Sequence, residues 1–410
     1  MHQFDKTGLS KEQTILVAAS RLVLAPVDER RILDVLSPDV DWQALWDLAR
    51  DHGVRFFVSR HLQPLTAKVD KGWLPGEFVS TMRRDLAHKA AQSLALWEAQ
   101  RRITNALEMK GLLTAWLKGL ILSHQLYHRL EARHASDLDL LTDARQVPAV
   151  GECLRDLEMV PFANPEPGKD HHPLGNYHQV WRFGADTGHS VFVELHHAVS
   201  GPTVCQPRAA DILARSRVVT CAGEAMRVPS AENELLLLCL HAHHHNFAVL
   251  RCLMDVGEYV QRFGQELDWE LFFADTAACR ALGRVAASLR LAELVLGPPL
   301  PDKVRKMLPQ LSAPRRWAIG LNESDWLDAG MEQDEWRRAR LWLLMDRWTD
   351  TLRLVWPRIA PSARYVHALY PSAEGWLPAY GWYAARIVRK GMRWLARRLW
   401  KTSNDPSLAA

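Results

Sequence analysis

The sequence predicts a helix-dominated α+β protein, with a small β-sheet core held between helical N- and C-terminal regions. Three observations lead there. Residues 10–110 carry apolar residues at helical spacing almost throughout. Residues 112–141 and 177–197 hold short apolar or alternating runs that suit strands. From Glu232 onward the pattern returns to a 3.6-residue period. The boundaries read from the sequence are 1–110, 111–225, 226–400 and a disordered tail over 401–410.

Taken in order, Ser10–Leu24 and Val27–Leu36 have helical periodicity. In Asp41–Arg60 the residues Trp42, Leu45, Trp46 and Leu48 form an apolar stripe, and Gly53 is a stop signal. His52 then sits at a helix end. Pro64–Gly76 reads as a loop and Glu77–Lys110 as one long helix closed by Gly111.

Leu112–Leu117 suits a buried strand, which Lys118-Gly119 breaks. A helical turn, Leu120–Tyr127, and a polar loop carrying Arg133 and Ser136 lead to Asp137-Leu138-Asp139-Leu140-Leu141. Side chains alternate along a strand, so Asp137 and Asp139 share one face while Leu138 and Leu140 point to the buried one. Two carboxylates about 7 Å apart on one edge repel each other unless a cation lies between them. Magnesium, which takes oxygen ligands and accompanies phosphates, is the usual solution.

Gln146–Met159 reads as a helix and Pro161–Asn176 as a loop. Tyr177–Phe183 and His189–His197 read as strands joined by a turn over Gly184–Gly188. In the second strand Val191, Val193 and Leu195 make an aliphatic face, and Glu194 and His196 lie on the other. A carboxylate there is costly to bury unpaired, so Glu194 borders a cleft or binds a cation.

This arrangement resembles the nucleotidyltransferase superfamily, whose fold is that of DNA polymerase β. It consists of a strand, Lys118-Gly119, a helix, Arg133, and Ser136-Asp137-Leu138-Asp139. Within that superfamily the chain is most similar to a bacterial family labelled "uncharacterised nucleotidyltransferase", and Lys118-Gly119 is similar to the glycine motif of toxin-type members. Glu194-Leu195-His196 resembles the family's Glu-Leu-His element, and Trp42–Val54 and His241–Asp255 resemble further parts of it. The resemblance implies a small mixed sheet and a magnesium-dependent (or Mn2+-dependent) transfer of a nucleoside monophosphate from an NTP to an acceptor hydroxyl. Asp137, Asp139 and Glu194 would be the catalytic metal ligands. Lys118, Gly119, Arg133 and Ser136 would bind the nucleotide, ATP among the candidates, and His196 and His241 would orient the substrate. Transfer of the γ-phosphoryl group to a peptide or small molecule on the same fold stays open, as does a catalytically silent scaffold. The acceptor is open among a peptide or protein, a small molecule, a sugar and RNA.

After Glu232 the chain reads as helices over Leu235–His245, Arg251–Phe263 and, in two pieces, Trp269–Leu296. His241 and His245 are spaced to share a helix face and could chelate zinc, but no third ligand stands at a recognisable spacing. Gly297–Pro314 reads as a connection and Trp317–Trp356 as helical, with Trp336, Leu343 and Met345 as core candidates. Gly381–Lys401 carries seven Lys or Arg and no acid. It is either an amphipathic helix for an anionic membrane, RNA or a partner, or a helix docked on its own domain with a solvated basic face.

The totals exclude several classes. The net charge of +4 is too mild to argue for nucleic acid by itself. The six cysteines form no CxxC pair and read as reduced thiols, and no signal or membrane-spanning stretch is legible, so a cytoplasmic protein is expected. No P-loop, GxGxxG or GxSxG occurs. Ten of the seventeen tryptophans lie after Ala313, which predicts a C-terminal part built differently from the rest.

Overall fold

The computed structural model describes residues 9–69, 74–162, 177–183, 190–199, 205–297, 300–319, 327, 335–370, 372–373 and 375–403. The expected loop over 163–176, the turn over 184–188, the side chain of Trp336 and the tail after Ser403 lie outside the described residues.

The chain opens with α1 (Lys11–Ala19), where Ser10 and Gln13 close a reciprocal cap, then α2 (Pro26–Val35) and α3 (Trp42–Asp51). Next come α4 (Arg55–Val69) and the 34-residue α5 (Gly76–Met109). Gly53, at φ 68°, turns the chain between α3 and α4. The loop expected from Pro64 is instead the second half of α4. A proline inside a helix costs roughly 3 kcal/mol. Leu62 and Leu65, both buried, keep the helix packed across it. In α5 the buried positions Leu96, Gln100, Ile103 and Leu107 recur at helical spacing and lie over the sheet.

β1 (Thr114–Leu117), α6 (Gly119–Tyr127), β2 (Leu138–Thr142), α7 (Val147–Asp156), β3 (Val160–Pro161), β4 (His178–Phe183) and β5 (Val191–His196) follow. They build a mixed five-stranded sheet in the order β1-β2-β5-β4-β3, parallel only between β2 and β5. Leu138, Leu140, Val193 and Leu195 pack under α5 and α7. Each such side chain contributes about 1.5–3 kcal/mol when fully buried. Ala115, Leu117 and Leu141 cover the other face with α8 (Ala209–Ala214).

A two-stranded hairpin that the sequence reading missed comes next, β6 (Arg217–Cys221) and β7 (Glu224–Val228). Ala222 and Gly223 both take positive φ, the demand of a tight two-residue hairpin turn.

The helices α9 (Ala231–His244), α10 (Leu250–Phe263), α11 (Trp269–Ala278) and α12 (Leu282–Leu296) share one apolar core with α1–α4. Helices α1–α4 and α9–α12 thus form one body. The segment expected as a connection contains α13 (Asp302–Met307) and leads into α14 (Ala313–Ile319), because Val304 and Ile319 find places in that core. α15 (Glu335–Leu341) runs into a 3-10 turn, Trp342–Leu344. Met345 is buried as expected, but Leu343 is exposed, since Leu344 takes the inward position.

The chain divides near Trp348. The second unit holds α16 (Trp348–Ile359), α17 (Ala363–Leu369) and α18 (Trp376–Ser403). Its own core is small, built on Val366, Ala373, Ala379 and Tyr383. The Tyr383 hydroxyl donates to the Arg358 carbonyl at 2.6 Å, and the Tyr380 hydroxyl donates to that of Pro361.

Candidate functional site

β1 ends at Leu117 and the chain turns sharply into α6. Lys118 takes φ 48° and Gly119 φ 61°. A Cβ added at Gly119 would meet nothing within 4 Å. Glycine is therefore required there by the backbone, and the space above it is open. Lys118 has no such freedom, and a left-handed residue with a Cβ costs roughly 1–2 kcal/mol. Strain of this kind concentrates at sites of function. Its ammonium is held at the site, 3.0 Å from an Asp139 carboxylate oxygen.

The sheet register does the rest. Leu117 faces Asp139 across β1 and β2, and Asp139 stands beside Glu194 across the parallel pair of β2 and β5. Asp139 is only 6 % exposed. His196, two residues beyond Glu194, puts its Nε2 at 3.0 Å from Asp139 and 3.2 Å from Glu194. His178 pairs with His196 across β4 and β5 and lies 4.0 Å from Glu194. Asp137 falls one residue before β2 begins and is partly exposed.

Three carboxylates and two imidazoles so close perturb one another. Burial opposes the charge on Asp139, but Lys118 and His196 overcome it and hold the group well below the usual carboxylate range. Burial likewise opposes Glu194, and the His196 hydrogen bond outweighs it, lowering its pKa. Asp137 moves the other way, raised by burial and by the charge of Asp139, with Lys118 opposing. Burial would lower His196, but hydrogen bonds to Asp139 and Glu194 lift it to about 9. His196 is therefore an imidazolium at neutral pH, a cation lying between two carboxylates.

The remaining expected residues divide. Ser136 is exposed at the entry to β2. Arg133 is not at the cleft. Its Nε donates to Asp255 on α10 at 2.8 Å, and the two side chains are 3 % and 0 % exposed. The Tyr127 hydroxyl donates to the same carboxylate at 3.3 Å. The guanidinium expected to meet phosphate is thus already neutralised inside the protein.

Another arginine, missed in the sequence, lies nearer. Arg251 donates to the His134 carbonyl, and its positive charge acts on Asp137. The His52-Gly53 pair supports it. The Arg251 backbone N–H donates to the His52 carbonyl at 3.2 Å, and a Cβ on Gly53 would come within 3.2 Å of the Arg251 side chain. His241 also belongs to this neighbourhood. Burial and the charges of Lys118, His245, Arg133 and Arg251 push its pKa well down, so its imidazole is neutral.

Among the described residues two groups of side chains have metal-ligand spacing. His178, Glu194 and His196 lie within 4.8 Å of one another, as do His241, His245 and Cys252. Cys252 is the third partner that the histidine spacing alone did not reveal. The second group sits among the cations that act on His241, and burial raises the Cys252 thiol, so a dication there must displace a thiol proton against repulsion. The first group is the better fit for a hard cation because Glu194 brings it a carboxylate; Asp137 and Asp139 are not part of that group, although Asp139 is the strand partner of Glu194. Asp137, Asp139 and Glu194 offer oxygen donors, and their mutual repulsion is what a divalent ion relieves. The Nδ1 atoms of His178 and His196 have no hydrogen-bond partner among the described residues, which leaves them to water.

The chain belongs to a family described as uncharacterised nucleotidyltransferase, whose model matches residues 38–297. The match spans α3 to α12 and includes every expected site residue. No curated protein matches the chain.

Proposed function

We propose that this protein transfers a nucleoside monophosphate from a nucleoside triphosphate to an acceptor hydroxyl, with Asp137, Asp139 and Glu194 holding magnesium. Pairing of Asp139 with Glu194 on parallel strands, beside the Lys118-Gly119 turn, carries the reading. A pair of acidic side chains next to an open glycine turn and a fixed lysine suits a metal-bound triphosphate and little else. Bound at these carboxylates, magnesium would stabilise the charge developing on the α-phosphate and acidify the acceptor hydroxyl.

The chain's own residues do the rest. Lys118 neutralises phosphate oxygens, and the backbone at Gly119 approaches them where α6 begins. Arg251 takes the role that the sequence offered to Arg133. Glu194, kept ionised by His196, accepts the proton of the acceptor hydroxyl as its oxygen attacks the α-phosphorus. The bond from that phosphorus to the bridging oxygen breaks, and pyrophosphate leaves. His196 and His241 orient the substrate, and Ser136 is exposed for a phosphate contact.

The test uses purified protein, magnesium and a cell extract, with ATP labelled at the α- or the γ-phosphate. Label transferred from the α position alone, and absent with Asp137→Asn, is the expected result. Label from the γ position alone would overturn nucleotidyl transfer in favour of phosphoryl transfer. Retained activity in Asp137→Asn would overturn the metal assignment.

A further inference from the structure

We propose that the C-terminal unit, Thr349–Ser403, is a peripheral membrane module that lays α16 and α18 into the headgroup layer of an anionic bilayer. It does not rest on the catalytic reading, and the family match ends at residue 297, well before this unit begins.

The first observation is charge. Ten of the chain's 51 Lys and Arg lie after Asp350, against two of its 47 Asp and Glu, Glu374 and Asp405. That stretch carries a net charge of +8 and the preceding 350 residues carry −4. The chain's mild overall charge therefore conceals a strongly basic end.

The second observation is where the apolar side chains point. α18 docks through Ala379 and Tyr383, which are buried. Leu377, Val388 and Met392 follow one another at helical spacing on the opposite side and are 66 %, 59 % and 59 % exposed. Ile387 and Trp382 are exposed beside them. α16 repeats the pattern. Leu354 is buried, while Leu352, Trp356 and Ile359 stand out on another face. The sequence offered the alternative of a helix docked by its apolar face with a solvated basic face. The structure leaves Ala384, Ile387, Val388 and Met392 of the apolar stripe uncovered, with Arg386 and Arg389 exposed on the same helix.

Among the described residues of this unit, exposed large apolar side chains outnumber the buried ones, the reverse of what a self-sufficient domain does. Aliphatic stripes joined to tryptophan and arginine, with almost no acid, match an interfacial helix. Single-stranded nucleic acid would be met by aromatic platforms and cations, and isoleucine, valine, leucine and methionine add nothing to stacking. Among the described residues no helix is long and apolar enough to cross a membrane, so the contact is with the surface.

The test uses the full chain and sedimenting vesicles of phosphatidylcholine alone or with roughly one-third phosphatidylserine. Partitioning at least about tenfold stronger onto the anionic vesicles is expected, weakening as salt is raised. Val388→Asp with Met392→Asp should weaken it by at least about tenfold. Arg386→Glu with Arg389→Glu should remove the preference for phosphatidylserine. All these positions are exposed, so the melting temperature should hold in both variants. Failure to sediment with either vesicle, equal binding to neutral vesicles, or binding that neither pair of substitutions reduces would overturn the proposal. So would a surface that ignores vesicles but, through the same side chains, retains RNA or joins two copies of the chain.

Discussion

Replacing Arg133 by methionine separates the two roles open to this residue. Arg133 and Asp255 are buried together at 2.8 Å, and apart from Arg133 the carboxylate accepts a 3.3 Å bond from Tyr127. Removing the guanidinium leaves a buried charge with, among the described residues, that long hydrogen bond. The cost of breaking such a pair from one side is about 3–5 kcal/mol. At about 2 °C per kcal/mol for a large domain, melting should fall by roughly 6–10 °C. Removing both charges, as Arg133→Met with Asp255→Leu, should recover most of the loss, because a packed apolar pair replaces a buried ionic one at little cost. The assay is thermal and urea denaturation followed by circular dichroism, with nucleotide affinity measured calorimetrically well below the melting point. Affinity in the single variant should match that of the parent. An unchanged melting temperature with a large fall in nucleotide affinity would refute the structural role and return Arg133 to the phosphates.

Other outcomes follow from the same geometry. His196 is held at about 9, against roughly 6.5 in the unfolded chain, so its proton stabilises the metal-free fold fully below pH 6.5. That contribution is lost as pH rises through 9, and melting curves without divalent ions should show the decline across this window. Asp139→Asn removes one of the two carboxylates holding that proton, so the His196 titration, read by NMR, should fall toward 6.5 while transfer activity is abolished; an unmoved titration would sink the pairing. Gly119→Ala meets no neighbour but forces a Cβ into φ 61°, so a stability loss of about 1–2 kcal/mol by denaturation is expected, with a larger loss in nucleotide binding. Gly53→Ala should weaken nucleotide binding from a distance by displacing Arg251, and Arg251→Met should reproduce that loss in a titration with labelled ATP.

Much of the site was legible because its chemistry is local. Lys118-Gly119, Asp139 and Glu194-Leu195-His196 each sit at a strand end, where alternation and a glycine break announce them. Strand alternation could also place Glu194 and His196 on one side. It could not supply the register that sets Asp139 beside Glu194, which links residues 55 positions apart. Arg133 and Arg251 show where local reading stops. Arg133 stands in a polar stretch and Arg251 in an apolar helical run, and only the path of α10 decides that the first is buried against Asp255 and the second reaches His134. The His52-Gly53 pair reads as a plain helix end, yet its carbonyl and its missing Cβ fix where Arg251 runs. The helix through Pro64 was hidden for a related reason, since a local breaker was overruled by tertiary burial. At the C-terminus the amphipathic pattern was plain, but a pattern cannot say which face is covered.

The charges at the site bear on how a nucleotide can enter. Asp137, Asp139 and Glu194 supply three negative charges when ionised, and two positive ones stand among them, Lys118 beside Asp139 and the His196 imidazolium between Asp139 and Glu194. A triphosphate brings about four more negative charges to this cluster. Repulsion between unit charges at about 4 Å reaches roughly 4 kcal/mol near a protein surface, so bare nucleotide is opposed. A divalent ion relieves this twice, by neutralising the carboxylates and by competing with the His196 proton for the same oxygens. Nucleotide and metal binding should therefore be coupled, each tightening the other by the same factor. Proton release on metal addition, largest between pH 6.5 and 9, is the signature of His196 giving way. Calorimetry in buffers of different ionisation enthalpy counts that proton directly. Nucleotide binding of equal strength with and without chelator, with no proton released, would mean that the carboxylates hold no metal and that His196 is their permanent counter-ion.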